Sequence, residues 1–219
     1  MTFYISIIVE GQTEVDSIER LLQRIWNEIL HVPYRLQVLP ASRAPHASLI
    51  QTDGEMLPAK VQEARLKLER YLSHGLPASG CVLLLLDADR NCPAELGPQL
   101  ALAMTSDHPP EIRSFCVLAK RMFENWIIAG AGTLAKVNGL PEAIPERDKP
   151  EDLSGAAWLE SQLRSVKSNR KYKKTEDAKV FVKAMDIVEC QAKSRSFERL
   201  VRKLSQLVGA NENAGDELT

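Results

Sequence analysis

The sequence predicts an α/β protein, a mainly parallel four-stranded sheet flanked by helices, followed by an α-helical C-terminal extension. Three observations carry the prediction. Through the first half, β-rich apolar runs alternate with amphipathic helical stretches, the pattern of a parallel sheet with crossover helices. Two runs, FYISIIV (3–9) and CVLLLLD (81–87), are almost wholly apolar, as strands covered on both faces are. Beyond Gly130 the β signal fades, and apolar residues recur every three to four positions.

The first strand is 3–9. Thr13 is placed to cap the helix that follows, whose apolar positions are Val15, Ile18, Leu22, Ile25 and Ile29, and which should end before Pro33. YRLQVLPA (34–41) reads as a short extended run, followed by a loop with Arg43 and His46. Val61, Ala64, Leu68, Tyr71 and Leu72 mark the next helix, with Gly75 as its stop. After the 81–87 strand, Pro93 suits the first turn of a helix reaching about Met104. IRSFCVLAK (112–120) is the fourth strand, and RMFENWIIAG (121–130) a short helix. A Pro- and charge-rich linker (140–153) leads to three expected helices. The last two carry the stripes Ala178, Phe181, Met185, Val188 and Phe197, Leu200, Val201, Leu204, Val208. The implied organisation is a sheet domain over 1–135, a helical extension over 136–210 packed on it, and a polar, frayed tail over 211–219.

With 219 residues, 26% of them charged and 44% hydrophobic, the chain has an ordinary globular composition. No apolar stretch reaches the ~20 residues that would span a bilayer, and no export signal opens the chain. A cytoplasmic location without membrane contact is expected. Cys81, Cys92, Cys116 and Cys190 are scattered, without C-x-x-C or nearby histidine, so buried thiols explain Cys81 and Cys116 better than zinc does. His31, His46, His74 and His108 lie apart in loops or helix ends, and none shows the oriented partner that acid–base chemistry needs. A net charge of −1 excludes a globally basic nucleic-acid binder while hiding local asymmetry.

The sharpest feature is that both buried strands run straight into carboxylates. Glu10 closes the first, and Asp87 and Asp89 close the third. In a parallel α/β sheet, ligands collect at the carboxyl ends of the strands. Three acids at one edge would repel each other unless a hard cation such as Mg²⁺ joined them. If the strand persists, Asp87 and Asp89 share a face; if it turns into a loop, they can converge on one ion. The competing reading is helix capping, or pairing with Arg90, Lys120 or Arg121. Glu14 also suits the positive end of its helix without any chemistry, and Gly11 permits a tight turn after the strand.

IIVEGQTEVD (7–16) followed by LLLLDAD (83–89) resembles the glutamate and D-x-D motifs of Toprim domains, the Rossmann-like catalytic module of topoisomerases, bacterial primases and OLD-type nucleases. The V-E-G-x-T-E form is similar to the OLD-type branch. RMFENWIIA (121–129), YKKT (172–175) and SRSF (194–197) further resemble a family of small stand-alone bacterial Toprim-like proteins considered alongside AAA-type ATPase partners. The resemblance implies a metal-dependent nuclease or related phosphodiester-processing enzyme acting on DNA or RNA, in a setting such as phage defence. It implies Glu10 as general acid/base or metal ligand, Asp87 and Asp89 as ligands of Mg²⁺ or Mn²⁺, and Glu14 and Glu124 as candidates for a second ion. Glu124 could equally sit at a helix start while Trp126 packs inward. Lys120, at the end of the fourth strand, could offset charge on a phosphate, or be solvated.

RSVKSNRKYKK (164–174) holds six basic residues, no acid and one aromatic ring, Tyr172. Lys167, Arg170, Lys171, Tyr172, Lys173 and Lys174 could neutralise phosphates and stack on a base, with Arg195, Arg199, Arg202 and Lys203 extending the patch. A solvated loop is the plain alternative. Two rival functions remain. One is a non-catalytic nucleic-acid-binding or scaffold subunit, or homodimer, beside an ATPase, since the chain lacks a phosphate-binding G-x-x-x-x-G-K-[ST] loop. The other takes DAD as a haloacid-dehalogenase-like nucleophile loop, where Asn91 is the wrong residue and EGQTE goes unexplained.

Overall fold

The computed structural model describes residues 1–73, 78–105 and 112–216, without the side chains of 12–14, 16 and 210–216. His74, Gly75, His108 and the side chains of Thr13 and Glu14 lie outside that description.

Strand β1 (Thr2–Val9) sits inside an all-parallel sheet. On one side it pairs in succession with β2 (Arg35–Val38) and the two-residue β3 (Ser42–Arg43); on the other side lie β4 (Ala78–Asp87) and then β5 (Arg113–Ala119). Among the described residues the sheet therefore has five strands where the sequence predicts four. After Val38 the chain keeps running beside β1, with Leu39 N donating to Ile5 O (2.8 Å) and Ala44 N to Val9 O (3.2 Å). Pro40 supplies no N–H in between, so the extended run is split into two short strands.

Helix α1 (Gln12–Arg24) runs on into a π-turn over Ile25–Ile29. Its N-cap is Gly11, not the expected Thr13, which falls inside the helix. Gly11 has φ −110° and ψ 162°, extended backbone open to any residue, so the left-handed freedom of glycine is not what the position uses. The remaining α-helices among the described residues are α2 (His46–Leu49), α3 (Met56–Leu72), α4 (Pro93–Ala103), α5 (Glu124–Ala129), α6 (Gly155–Val166), α7 (Lys174–Ala184), α8 (Ile187–Lys193) and α9 (Arg195–Asp216).

Side-chain alternation splits the sheet into two buried faces. Ile5, Ile7, Val9, Leu83, Leu85 and Val117 face a core shared with α1, α5 and the C-terminal helices. Ile8, Val82, Leu84, Leu86 and Leu118 face a second core built with α3 and α4. Covering on both faces explains why these strands read as continuous apolar runs.

Among the described residues four α-helices, not three, follow the linker. The stripe Ala178, Phe181, Met185, Val188 is interrupted: α7 ends at Ala184, Met185 is extended, and the Asp186 carboxylate accepts from Val188 N and Glu189 N (both 2.9 Å) to start α8. Aspartate competes for backbone donors and favours a new N-cap over a continuous helix. Val188 is consequently 63% exposed instead of lying in the core. Arg24 fastens this corner to α1. Its Nη1 donates to Val182 O (2.9 Å) and Met185 O (2.7 Å), while Nε and Nη2 grip Glu28 (2.8 and 2.7 Å). Among the described residues no helix is long and apolar enough to cross a membrane.

Candidate functional site

From β1 the chain crosses to β2 on one side, and later returns to β4 on the other. The gap between β1 and β4 is thus the point where strand order reverses, the place where open α/β sheets form a crevice at their carboxyl ends. Glu10 leaves β1 there, and Asp87 ends β4. Glu10 Oε1 accepts from Asp87 N (3.2 Å), which ties the two strand ends together. Asp87 is buried, and its Oδ1 accepts from Phe123 N (2.6 Å) just beyond β5.

Asp89 reaches the same region through a loop, not along the strand. Ala88 N still donates to Ala119 O (2.9 Å), but Asp89 then turns left-handed (φ 51°), with its N–H on Arg121 O (2.8 Å). Arg121 is left-handed as well (φ 63°). Such backbone disfavours L-residues, though aspartate tolerates it better than most. Of the two geometries open to DAD in the sequence, the loop is the one adopted.

His46 joins these acids. Separated from β3 by two residues, it begins α2, with Nδ1 against Glu10 Oε2 and Nε2 3.8 Å from Asp89 Oδ2. The sequence placed His46 in a loop without a partner. The missing signal is β3 itself, since two residues are too few to show a strand period, yet they aim the next segment at the end of β1.

Glu124 opens α5 and is 1% exposed. Its Oε1 lies 3.2 Å from Lys174 Nζ and accepts from Tyr172 Oη (3.4 Å); Oε2 has no hydrogen-bond partner among the described residues. The start of α6 presses on this point. A Cβ at Gly155 would stand 2.8 Å from Glu124 Cβ and 2.9 Å from Asn125 N, so only glycine allows the approach. Lys120 points elsewhere: Nζ pairs with Asp152 Oδ1 (2.8 Å), and this hydrogen bond holds the Asp152 carboxyl below its usual range. The Lys120 N–H donates to Ser196 Oγ (3.2 Å).

Among the described residues no three His, Cys, Asp or Glu side chains form a ready-made metal cluster. The donor chemistry still fits a hard dication. Glu10 and Asp87 end neighbouring strands and Asp89 follows in the next loop, and Mg²⁺ takes one or two carboxylates and keeps several waters.

The basic run is largely neutralised by acids from elsewhere in the chain. Arg164 pairs with Glu160, Arg170 with the buried Asp177, Lys173 with Glu176, and Lys174 with Glu124. Asp177 also accepts from Lys173 N and Asn138 Nδ2 (both 2.7 Å). Tyr172 stacks on Phe181 with ring centroids 6.4 Å apart, while Lys167 and Lys171 are exposed. Arg195 and Arg199 lie at a separate groove with Lys120, between α4 and the start of α9. Cys81, Cys116 and Cys190 are buried, and burial raises each thiol, Cys116 to about 12.

The family described as "Domain of unknown function (DUF4276)" matches residues 9–205, a span that includes each of these site residues. Among solved structures, the C-terminal region of the OLD protein of Xanthomonas campestris pv. campestris is similar at 14% identity and a TM-score of 0.37, over 94% of this chain and 97% of that one. No curated protein matches the chain.

Proposed function

The chain belongs to the DUF4276 family, and we propose that it is a Toprim-like, Mg²⁺-dependent enzyme that hydrolyses phosphodiester bonds in DNA or RNA. The supporting observation is the junction at the reversal of strand order, where Glu10 accepts from the Asp87 N–H and His46 lies between Glu10 and Asp89. Asp87 and Asp89 would hold Mg²⁺ or Mn²⁺, which when bound supplies Lewis-acid polarisation of the phosphoryl group and a more acidic water. Glu124, with one buried oxygen unpartnered, and Glu14 are the residues for a second ion.

The protein's own part of the reaction falls to Glu10. Its Oε1 accepts from the Asp87 N–H and its Oε2 lies against His46 Nδ1, so Glu10 would take the proton of the attacking water through Oε2 only as the His46 contact opens. His46 orients that carboxylate. Lys167, Arg170, Lys171, Tyr172, Lys173, Lys174 and Arg195 are the proposed strand-binding residues. Lys174 and Tyr172 touch Glu124 directly, so phosphate bound there would lie beside Glu124. Lys120 serves this scheme only if it leaves Asp152.

The absence of a three-ligand cluster among the described residues favours a second reading, a non-catalytic nucleic-acid-binding subunit beside an AAA-type ATPase. Cleavage assays separate the two. Purified protein with Mg²⁺ or Mn²⁺ is expected to cut single- or double-stranded DNA or RNA, with activity lost in Glu10→Gln and Asp87→Asn proteins of unchanged circular dichroism. Nucleic-acid binding that is indifferent to metal and to both substitutions, without cleavage, would establish the second reading instead.

A further inference from the structure

The stretch 119–123, where β5 ends, holds the DAD loop mainly by main-chain groups. Ala119 O accepts from Ala88 N (2.9 Å), Arg121 O accepts from Asp89 N (2.8 Å), and Phe123 N donates to Asp87 Oδ1 (2.6 Å). Asp87 and Asp89 are therefore both placed by this turn, in which Arg121 carries left-handed backbone (φ 63°). A non-glycine residue persists in that region only where its surroundings hold it.

What holds the turn comes from much later in the chain. Ser196, buried at the start of α9, accepts from the Lys120 N–H (3.2 Å) and from Trp126 Nε1–H (2.8 Å), and donates to Glu151 Oε1 (2.5 Å). One donor and two acceptor sites are the full capacity of a hydroxyl, so the carboxylate that takes the proton leaves the lone pairs for the turn and for α5. Glu151 is itself buried, on the 3₁₀ turn Pro150–Asp152, and its Oε1 also accepts from Ser194 Oγ (2.8 Å) and Ser196 N (3.0 Å). These donors offset the cost of taking that carboxylate out of water. The same segment grips the end of β5 and the start of α5 directly. Lys120 Nζ donates to Asp152 Oδ1 (2.8 Å), Arg121 Nη1 to Asp152 O (2.5 Å), and Asn125 Nδ2 to Pro150 O (2.7 Å) and Leu153 O (2.9 Å).

On the reading of Asp87 and Asp89 as cation ligands, we propose that Ser196, with its hydroxyl set by Glu151, is a positioning residue for the acidic crevice: it fixes the turn after β5 and, through that turn, where the two aspartates stand. Groups that stand behind a ligand and orient it typically change metal affinity about 10- to 100-fold when they are lost. Ser194 supplies the control. Its hydroxyl lies 3.2 Å from Ser196 Oγ, donates to the same Glu151 oxygen and accepts from Phe197 N (3.1 Å), so it supports the start of α9, whereas the Lys120 N–H rests on Ser196.

Amide hydrogen exchange followed by nuclear magnetic resonance and Mn²⁺ titration followed by electron paramagnetic resonance, both on the full chain, test the assignment together. In Ser196→Ala the amides of Asp89, Lys120 and Phe123 should exchange roughly tenfold faster than in the parent, and Mn²⁺ should bind about tenfold more weakly. Ser196→Thr, which keeps the hydroxyl, should restore both. Ser194→Ala should lower resistance to urea while leaving Mn²⁺ affinity as in the parent, which separates positioning from a merely structural role. Ser196→Cys keeps the volume but offers a weaker acceptor, so it carries the test if Ser196→Ala does not fold. Parent-like amide exchange or parent-like Mn²⁺ affinity in the folded Ser196 variants that lack the hydroxyl, or an equal loss of affinity in Ser194→Ala, would overturn the proposal while leaving Asp87 and Asp89 as ligands. A parent protein that binds no Mn²⁺ would overturn the reading of the crevice itself, and this role of Ser196 with it.

Discussion

His46 concentrates the physics of the candidate centre in one side chain. One ring nitrogen lies against Glu10 and the other faces Asp89, so the imidazole spans acids that leave two different strands. Partners of this kind orient a reacting or ligating carboxylate, and their loss typically costs about 10- to 100-fold in activity or metal affinity. His46→Gln is therefore expected to lower kcat for phosphodiester cleavage by roughly tenfold or more, with KM changed much less, in steady-state assays. Unchanged kcat would remove His46 from the centre. The position of Glu10 and Asp87 at strand ends was legible in the sequence because a carboxylate ending an apolar strand conflicts with its surroundings. The histidine was not, because its partners come from other strands and its local sequence shows only a loop. Lys120 illustrates the converse, since a lysine at a strand end looks suited to a phosphate until the fold brings Asp152 to it.

Among the elements, α1 and α7 depend on Arg24, which holds Val182 O of α7, Met185 O just beyond it and the Glu28 carboxylate at once. Cations near a helix C-terminus are favourable, and hydrogen bonds to charged groups contribute about 2 kcal/mol. Arg24→Met should lower stability by about that amount at neutral pH, measured by urea unfolding. The hydrogen bond from Arg24 depresses the Glu28 pKa below its usual 4.5. A depressed carboxylate pKa contributes stability above the unfolded-state value and loses it as pH falls through the folded one. The difference between parent and variant should therefore be flat near neutrality and shrink below about pH 4.5. A difference that grew in acid would contradict the assignment. The strong strands and the helices α1, α3 and α4 were readable from the sequence, whereas the short α2 was not. The break at Asp186 was not, since an apolar stripe continues through it and only the cap chemistry of aspartate ends the helix.

Across the whole molecule, buried thiols sample distant parts of one packed structure. Cys81 lies in β4, Cys116 in β5 and Cys190 in α8, all buried, whereas Cys92 is exposed. Burial raises the three core thiols, so their reactive thiolate is scarce while the protein stays folded. Native protein should show one fast-reacting thiol in a dithionitrobenzoate titration and three slow ones that react together, at the rate of global opening. Early reaction of Cys190 would mean that the C-terminal helices open apart from the sheet. The parallel architecture was legible because alternating apolar strands and helices admit few other arrangements. The neutralised basic segment was not, since Asp177, Glu176 and Glu124 meet it only after folding.

The central claim is that Glu10, Asp87 and Asp89 form one cation-holding centre where strand order reverses. Titration of Mn²⁺ followed by electron paramagnetic resonance tests it directly. The parent protein should deplete the free-ion signal, Mg²⁺ should restore it by competition, and Glu10→Gln and Asp87→Asn should each weaken binding about tenfold or more. Equal Mn²⁺ binding by the parent and both folded variants would contradict it.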